Sequence, residues 1–292
     1  MNLCDYTTIR DLLARHGFHF SKSMGQNFLI DPEVPRRIAE ASGADESCGV
    51  LEIGPGIGPL TAELAQRAGK VVAVELDRAL LPVLAETMAP YPNVEIVPGD
   101  VLKLDLKALT AEKFPGLTPM VCANLPYNVT SPILEKLVET PCFPSFTVMI
   151  QREVARRLCA PQGSAEGGSF SLFLQYHMEP ELLFDVPPEK FLPAPKVTSS
   201  VIRCVRRDRP AVEVEDEAFF FKVVRGGFLL RRKTLANSLS AALPGISKEV
   251  IQQAIAGVGL PAAVRGEQLT LEDFAALAAA LARTQAERGP LL

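Results

Sequence analysis

The segment Asn124-Leu125-Pro126-Tyr127 follows an apolar run, residues 120–123, and brings several kinds of contact to one turn. The amide of Asn124 offers two hydrogen-bond donors and an acceptor on a short side chain. Tyr127 adds a flat aromatic face and a hydroxyl, and Pro126 stiffens the turn because its ring fixes φ. A strand that ends in this way is suited to hold a planar molecule with hydrogen-bonding edges.

A glycine-rich stretch, Gly54-Pro55-Gly56-Ile57-Gly58, follows an earlier β-branched run and precedes a segment with helical periodicity. Glycines let the backbone turn sharply and approach a ligand closely. The N–H groups at the start of the following helix favour negative charge. In the dinucleotide-binding fingerprint G-x-G-x-x-G the third glycine comes one residue later than it does here. The spacing therefore counts against an NAD-dependent dehydrogenase.

Two carboxylates end the next two β-branched runs of the chain. Glu75 can accept hydrogen bonds from ribose hydroxyls, and Asp100 can accept one from an adenine amino group. Each such bond to a charged group contributes roughly 1.5–3 kcal/mol. Because open α/β sheets bind ligands at the carboxyl ends of their strands, we expect both acids to lie near Gly54 and Asn124.

The order of the predicted elements indicates an α/β fold with a second, helical part. Short β-branched runs alternate with helical segments, which predicts a parallel sheet with helices on both faces. The predicted strands cover residues 50–53, 71–74, 94–97, 120–123, 146–150 and, after a proline-rich crossing at 186–195, 199–205. Residues 162–168 are expected to form a mobile loop, because they are rich in glycine.

No further strand is evident beyond residue 208. The remaining pattern predicts four helices, at 219–230, 233–242, 248–258 and 271–283. We therefore place a domain boundary between residues 207 and 208.

The composition of the 292 residues is typical of a globular protein, with a net charge of −4. No apolar stretch reaches the ~18 residues of a membrane span, and the first residues lack the pattern of a signal peptide. The six cysteines show no C-x-x-C pair, and the three histidines have no plausible metal-ligand set around them. We expect a cytoplasmic protein with reduced cysteines and without a metal site.

Basic residues are concentrated in one part of this acidic chain. Between Arg203 and Lys233 nine basic residues outnumber five acidic ones, for a local net charge of +4. The basic positions are 203, 206, 207, 209, 222, 225, 231, 232 and 233. Such a cluster is either a solvated helix face or a surface for nucleic-acid phosphates, and the local distribution of charge decides more than the total.

Taken together, the motifs EIGPGIG, VELD, GDVLKLD and NLPYN resemble those of the S-adenosylmethionine-dependent adenine-N6 methyltransferases. Residues 23–29, SMGQNFL, look like the N-terminal motif of that group. Residues 191–197, with the following SSV, and residues 231–235, RRKTL, are similar to motifs of the small-subunit (16S) rRNA adenine-N6,N6-dimethyltransferase family. The resemblance covers residues 7 to 280. It implies a Rossmann-like catalytic domain at 1–207 and a smaller, all-helical rRNA-binding domain at 208–292.

The resemblance implies an enzyme that dimethylates N6 of two adjacent adenines in a hairpin near the 3′ end of small-subunit rRNA. S-adenosyl-L-methionine would be the methyl donor, with no metal. The implied partner is small-subunit rRNA or the immature small ribosomal subunit, and a role in its biogenesis would follow. We expect a monomer without membrane association.

The same resemblance assigns residues by role. Those implied to bind the cofactor are Asn27, Leu29, Gly54, Gly56, Glu75, Asp100 and Asn124. Those implied in catalysis are Asn124, Leu125, Pro126 and Tyr127. Those implied to bind the substrate are Tyr127, Phe191, Arg231, Arg232 and Lys233.

Two positions depart from the family pattern, and two other functions remain open. Ala194 stands where many relatives have proline, and Ala236 stands where many have a basic residue after RRKTL, which removes one expected phosphate contact. The first alternative is a large-subunit rRNA adenine dimethyltransferase of the macrolide-resistance type. The second is a non-catalytic assembly factor or nucleic-acid-binding protein with the same fold.

Overall fold

The computed structural model describes residues 1–18 and 26–288 and divides the chain into two compact units. The first unit comprises Met1–Ala155 and Glu179–Arg206, and the second comprises Arg156–Met178 and the chain from Arg207 onward. The chain thus enters the second unit at Arg156, returns to the first unit at Glu179 and enters the second unit again at Arg207. This last crossing lies next to the boundary predicted from the sequence. Residues 156–178, which the sequence grouped with the catalytic part, belong instead to the compact unit of the C-terminal helices.

The sheet of the first unit has seven strands in the order β4-β3-β2-β5-β6-β9-β7. Neighbouring strands from β4 to β6 run parallel, and β9 is antiparallel to β6. The strands are β2 (Cys48–Ile53), β3 (Lys70–Glu75), β4 (Val94–Pro98), β5 (Thr118–Asn124), β6 (Ser145–Gln151), β7 (Met178–Val186) and β9 (Ser199–Arg206). A separate two-stranded ribbon joins β1 (Phe28–Leu29) to β8 (Phe191–Leu192). All six predicted strands are present, while β1, β7 and β8 were not predicted.

Helices connect the strands, as the sequence predicts for parallel neighbours. The first seven helices are α1 (Tyr6–Arg15), α2 (Glu33–Ser42), α3 (Pro59–Ala65), α4 (Leu81–Met88), α5 (Leu106–Lys113), α6 (Thr130–Glu139) and α7 (Arg152–Leu158). The remaining helices are α8 (Ser169–His177), α9 (Glu217–Leu229), α10 (Leu235–Ala242), α11 (Lys248–Gly257) and α12 (Leu271–Arg288). The last four match the four helices predicted for the C-terminal part to within a few residues. None of the described helices is long and apolar enough to span a membrane.

Each unit has its own apolar core. In the first unit, residues of α2 and α3 such as Ile38 and Leu64 pack against Val50 and Cys122 of the sheet. In the second unit, aromatic residues of α8 and α9 meet, with the rings of Tyr176 and Phe221 5.0 Å apart. Helix α8 therefore belongs to the second unit because its apolar side is buried there.

A ligand pocket at the carboxyl edge of the sheet

A cavity of about 230 Å³ lies in the first unit at the carboxyl ends of the parallel strands. A second cavity, in the other unit, has about 10 Å³ and accommodates one water at most. The large cavity is lined by the turns after β2, β3, β4 and β5 and by the β1–β8 ribbon. The sequence predicted this meeting of four strand ends, and the geometry brings Gly54, Glu75, Asp100 and Asn124 together.

The turn after β2 has a backbone that only glycine adopts readily. Gly54, Gly56 and Gly58 have φ values of 67°, 63° and 94°, in the left-handed region that side chains avoid. A Cβ on Gly56 would lie 3.2 Å from the ring of Phe28, and one on Gly58 would lie 2.5 Å from Met88 Cε. The turn is therefore fixed by packing as well as by dihedral angle, and it exposes backbone to the cavity.

Glu75 ends β3 and is almost fully buried at the cavity wall, with 6% of its surface exposed. Its Oε1 accepts the backbone N–H of Asp77 at 2.7 Å. Burial raises the pKa of Glu75, and the N–H groups of Asp77 and Gly56 oppose this rise. These bonds fix the orientation of the carboxylate toward the cavity.

The loop that follows β4 supplies a further acid of the wall, Asp100. Oδ1 of Asp100 accepts the N–H of Leu102 at 3.0 Å, and its side chain is 26% exposed. Gln26 donates to Oδ2 of Asp77 at 2.6 Å, which holds the segment before β1 against the turn after β3. Asn27 and Leu29 line the cavity from this segment, whereas the preceding Ser23, Met24 and Gly25 of the SMGQNFL motif lie outside the described residues.

The Asn124–Tyr127 segment lines the cavity along its whole length. The N–H of Leu125 donates to the carbonyl of Met149 at 3.0 Å, which extends the β5–β6 pairing past the strand end. The carbonyl of Pro126 accepts two hydrogen bonds, from Thr130 Oγ1 at 3.0 Å and from the N–H of Val129 at 3.3 Å. The turn is thus held rigidly, with Asn124 half-buried at its start.

Tyr127 is positioned by a contact that the sequence did not reveal. Its hydroxyl lies 2.6 Å from Oγ of Ser199, a fully buried residue at the start of β9. Burial raises the pKa of Tyr127, and the bond to Ser199 opposes the rise. Ser199, in the serine pair that follows PAPKV, therefore fixes the hydroxyl edge of the tyrosine ring.

Phe191 stands on β8 and is 2% exposed. It pairs with Leu29 in the β1–β8 ribbon and contributes to both the cavity wall and the core cluster. Phe191 is therefore a core residue that also presents part of its ring to the cavity.

The charge of the cavity wall is one-sided. Of the described residues that line it, three are acidic and none is basic; the acids are Glu52, Glu75 and Asp100. Sequence reasoning did not assign Glu52, which stands inside β2, nor Leu76, which is 56% exposed beside Glu75. The position of Leu76 directly after a strand-end carboxylate is the signal that could have identified it. A wall of this kind favours a cationic ligand with an apolar, planar portion.

The predicted basic cluster is divided by the fold. Arg203 and Arg206 belong to the first unit. Arg206 Nη2 donates to the carbonyl of Val138 at 2.9 Å and its Nε donates to that of Phe143 at 3.1 Å, so its guanidinium supports the end of α6.

The RRK stretch follows α9 in the second unit, and all three residues are exposed. Arg231 Nη2 donates to the carbonyls of Ala165 and Gly167 at 3.2 and 3.4 Å. Ala236 is 4% exposed and lies in the core of the second unit. A basic side chain at position 236 would therefore meet the core, and the alanine there does not remove a surface charge.

Comparison with known proteins agrees with this arrangement. A family model described as "Ribosomal RNA adenine dimethylase" matches residues 17–282. The chain belongs to the ribosomal RNA adenine dimethylase family. This confirms the family predicted from the motifs, and with it the prediction of an enzyme.

Relatives of high identity extend over nearly the whole chain. The chain is 48% identical over 277 residues to the Ribosomal RNA small subunit methyltransferase A of Geobacillus sp. (strain WCH70), covering 93% of this chain and 95% of the relative. It is 49% identical to the protein of that name from Bacillus mycoides (strain KBAB4), covering 93% and 94%.

Solved structures support the fold. The 23S rRNA methyltransferase ErmE is 27% identical with a TM-score of 0.66, covering 88% of this chain and 100% of that one. A dimethyladenosine transferase from Plasmodium falciparum is 24% identical with a TM-score of 0.72, covering 85% and 95%. The predicted α/β, Rossmann-like class of this member of the dimethylase family is confirmed, although its sheet is mixed rather than purely parallel.

Proposed function

We propose that this protein transfers methyl groups from S-adenosyl-L-methionine to N6 of two adjacent adenines in a hairpin near the 3′ end of small-subunit rRNA. The observation that carries the proposal is the 48–49% identity to proteins named Ribosomal RNA small subunit methyltransferase A over 93% of the chain. The cavity with three carboxyl groups supports it independently. The likeness to ErmE, at 27% identity, makes large-subunit rRNA the alternative substrate to be tested.

The chemistry of the cavity wall fits the methyl donor. S-adenosylmethionine supplies an electrophilic methyl group on a positively charged sulfur. An acidic wall attracts such a cation, whereas it would repel the pyrophosphate of a dinucleotide. In the proposal Glu75 accepts from the ribose hydroxyls and Asp100 accepts from the adenine amino group of the cofactor. The residues proposed to hold the cofactor are Asn27, Leu29, Gly54, Gly56, Glu75, Asp100 and Asn124.

The proposed catalytic task of the Asn124–Tyr127 turn is to prepare the target nitrogen. The lone pair of adenine N6 is delocalised into the ring, so the free amino group is a poor nucleophile. Acceptors fixed on both N–H bonds favour a pyramidal nitrogen whose lone pair points at the methyl group, and such fixed dipoles stabilise the transition state. The side-chain oxygen of Asn124 and the carbonyl of Leu125 are proposed for this role. The carbonyl of Pro126 already accepts two bonds, so its contribution is to stiffen the turn.

Tyr127 and Phe191 are proposed to hold the flipped adenine. A target base has to leave its stack to reach the cavity, and stacking on an aromatic side chain returns about 1–3 kcal/mol per base. The bond from Tyr127 to Ser199 keeps that ring in place before the base arrives. Methyl transfer then depends mainly on orientation and proximity.

The residues of the second unit are proposed to bind rRNA phosphates. Arg232 and Lys233 are exposed and lie in the turn after α9. Arg231 is proposed to assist them while it holds the 165–167 loop. We extend the rRNA-binding proposal to residues 208–292 as a whole. We further propose that the protein is monomeric and cytoplasmic. It would act on the immature small subunit and take part in the biogenesis of that subunit.

The decisive experiment supplies both candidate substrates. Purified protein and S-adenosylmethionine are incubated separately with undermethylated small and large ribosomal subunits. The rRNA is digested, N6,N6-dimethyladenosine is measured by mass spectrometry, and the sites are mapped by primer extension. Tyr127→Ala serves as the matched variant, since it removes the ring and leaves the proposed cofactor contacts.

Dimethylation of two adjacent adenines in the small-subunit rRNA alone is the expected result. Dimethyladenosine only in large-subunit rRNA would show that large-subunit rRNA is the substrate. Absence of product in both, with S-adenosylmethionine bound, would favour the non-catalytic assembly role. Unchanged turnover by Tyr127→Ala would remove that residue from the proposed site.

A further inference from the structure

Glu52 is a buried acid in the wall of the ligand cavity for which the proposed catalysis has no task. It stands in β2, two residues before Gly54, and 1% of its surface is exposed. Its Oε2 has no hydrogen-bond partner among the residues that the structure describes. A buried polar atom without a partner costs free energy, and here that atom belongs to a residue that lines the cavity.

Among the residues that the structure describes, no basic side chain is found to stabilise the carboxylate of Glu52. The groups that act on it are the carboxylate of Glu75 and the hydroxyl of Thr61, and Glu52 in turn faces the thiol of Cys122. Burial raises the pKa of Glu52 to about 8, Glu75 adds to the rise, and Thr61 partly opposes it. Burial also raises the pKa of the Cys122 thiol, which therefore stays neutral.

A positive charge in the cavity would change this balance. Desolvation disfavours the ionised form of a buried acid, and a nearby cation favours it. Since Glu75 and Glu52 share one wall, two negative charges there are unfavourable without a cation and favourable with one. The empty acceptor oxygen of Glu52 is thus matched to a ligand that brings positive charge.

We propose that Glu52 is a proton-linked counter-ion for the cationic methyl donor: it keeps its proton in the free protein and releases it to solvent when the cation binds. This inference rests on the proposed function, because it takes S-adenosylmethionine as the ligand of the cavity. The released proton leaves a carboxylate that balances the positive charge of the ligand, so no co-reactant is needed.

The coupling of proton release to ligand binding also makes the protein bind the methyl donor and its product with different affinities. S-adenosylhomocysteine has a thioether where the donor has a charged sulfur, so it provides one positive charge less. Glu52 then regains its proton and the cavity holds the product less tightly than the donor. Since binding of the donor releases a proton, its affinity rises with pH below the pKa of free Glu52, by up to about tenfold per pH unit. The affinity of the product changes less.

Isothermal titration calorimetry measures the proton directly, without methyl transfer. The full chain is titrated with S-adenosylmethionine near neutral pH in phosphate and in Tris, whose ionisation enthalpies differ. The dependence of the heat on the buffer gives the number of protons released. The variants are Glu52→Gln, which keeps the shape of the side chain but cannot ionise, and Glu46→Gln, a control at an exposed position of the same unit.

The wild type and Glu46→Gln are expected to release roughly one proton with the donor, and less with S-adenosylhomocysteine. Glu52→Gln is expected to release close to none. Binding without proton release by the wild type overturns the inference whatever the variant does, and so does undiminished release by a folded Glu52→Gln. Failure of the wild type to bind S-adenosylmethionine at all would overturn the proposed function as well, so the two failures are distinguishable.

Discussion

A buried carboxylic acid such as Glu52 makes the stability of the fold depend on pH. The unfolded chain ionises this group above about pH 4.5, whereas burial raises its pKa to about 8 in the folded protein. The unfolded state therefore loses its proton first, and the free energy of unfolding falls as pH rises from about 5 to 8, by at most about 1.4 kcal/mol per pH unit. We expect Glu52→Gln to lack this component.

Thermal melts of the two proteins at about pH 5 and about pH 8 measure the component. The Tm of Glu52→Gln relative to the wild type is expected to rise by at least about 5 °C between these conditions. If the glutamine side chain at position 52 destabilises the fold equally at both pH values, this effect cancels in the difference. Glu46→Gln provides the control at an exposed position. A relative Tm that is the same at both pH values would mean that Glu52 is ionised in the folded protein.

The bond between Tyr127 and Ser199 is the second contact that can be tested at a single residue. Without its partner the tyrosine hydroxyl is left half-buried, and the ring is less restrained before the base arrives. Ser199→Ala is expected to lower kcat/KM for rRNA roughly tenfold, corresponding to about 1.4 kcal/mol. The Kd of S-adenosylmethionine, measured by calorimetry, is expected to stay the same.

A double-mutant cycle separates positioning from general damage. If the hydrogen bond carries the effect, adding Ser199→Ala to Tyr127→Phe costs little beyond Tyr127→Phe alone. Full additivity of the two losses would show that Ser199 acts through packing in β9 and not through the tyrosine.

Strand-end residues of the site were predictable, and residues inside the strands were not. Glu75, Asp100 and Asn124 end runs that had to form parallel strands, so their meeting at one edge followed from topology. Ser199 and Glu52 needed side-chain geometry. The alternation of a strand buried on both faces does not tell which polar residue points into a cavity.

At the level of the elements, β7 escaped prediction for an identifiable reason. Its sequence, MEPELLFDV, contains a proline and three acids and shows no regular alternation. These features are tolerated because β7 is the last strand of the sheet, where one side of the backbone needs no partner. The two-residue strands β1 and β8 were missed because so short a pairing leaves no periodic signal.

Arg206 was counted in the basic cluster of the sequence, but its contacts are those of a structural cap. Its guanidinium donates to carbonyls at the end of α6 and beyond, including Val138 and Phe143. We expect Arg206→Ala to reduce the free energy of unfolding by about 2–4 kcal/mol, because these carbonyls would lose charged hydrogen bonds. Urea denaturation followed by circular dichroism measures the loss.

Arg209→Ala is the matched control, since that side chain is exposed and the change in net charge is the same. Its stability is expected to remain within about 0.5 kcal/mol of the wild type. At a temperature where Arg206→Ala is fully folded, its affinity for rRNA should match that of Arg209→Ala. A selective loss of rRNA affinity without a loss of stability would instead place Arg206 on the RNA-binding surface.

At the level of the whole molecule, the helical C-terminal part was predictable and its partner segment was not. The four last helices follow from periodicity and from the absence of strand patterns after residue 208. Residues 156–178 end in helix α8, but periodicity does not tell which core the apolar face of a helix joins. The ring contacts of Tyr176 with Phe220 and Phe221 decide that it is the core of the second unit.

The acidic chain as a whole, with a net charge of −4, has to bind a polyanion through local basic residues. Arg232 is exposed, and its side chain makes no ion pair among the residues that the structure describes, so Arg232→Glu tests this directly. We expect weaker rRNA binding. The plot of the logarithm of the binding constant against the logarithm of the salt concentration should have a slope that is shallower by about 1, because one phosphate contact is lost. Filter binding at several salt concentrations measures both quantities.

Lys248→Glu, an equal charge reversal on the exposed start of α11, should leave the slope nearly unchanged. Equal effects of the two variants would mean that net charge, and not the RRK stretch, controls binding.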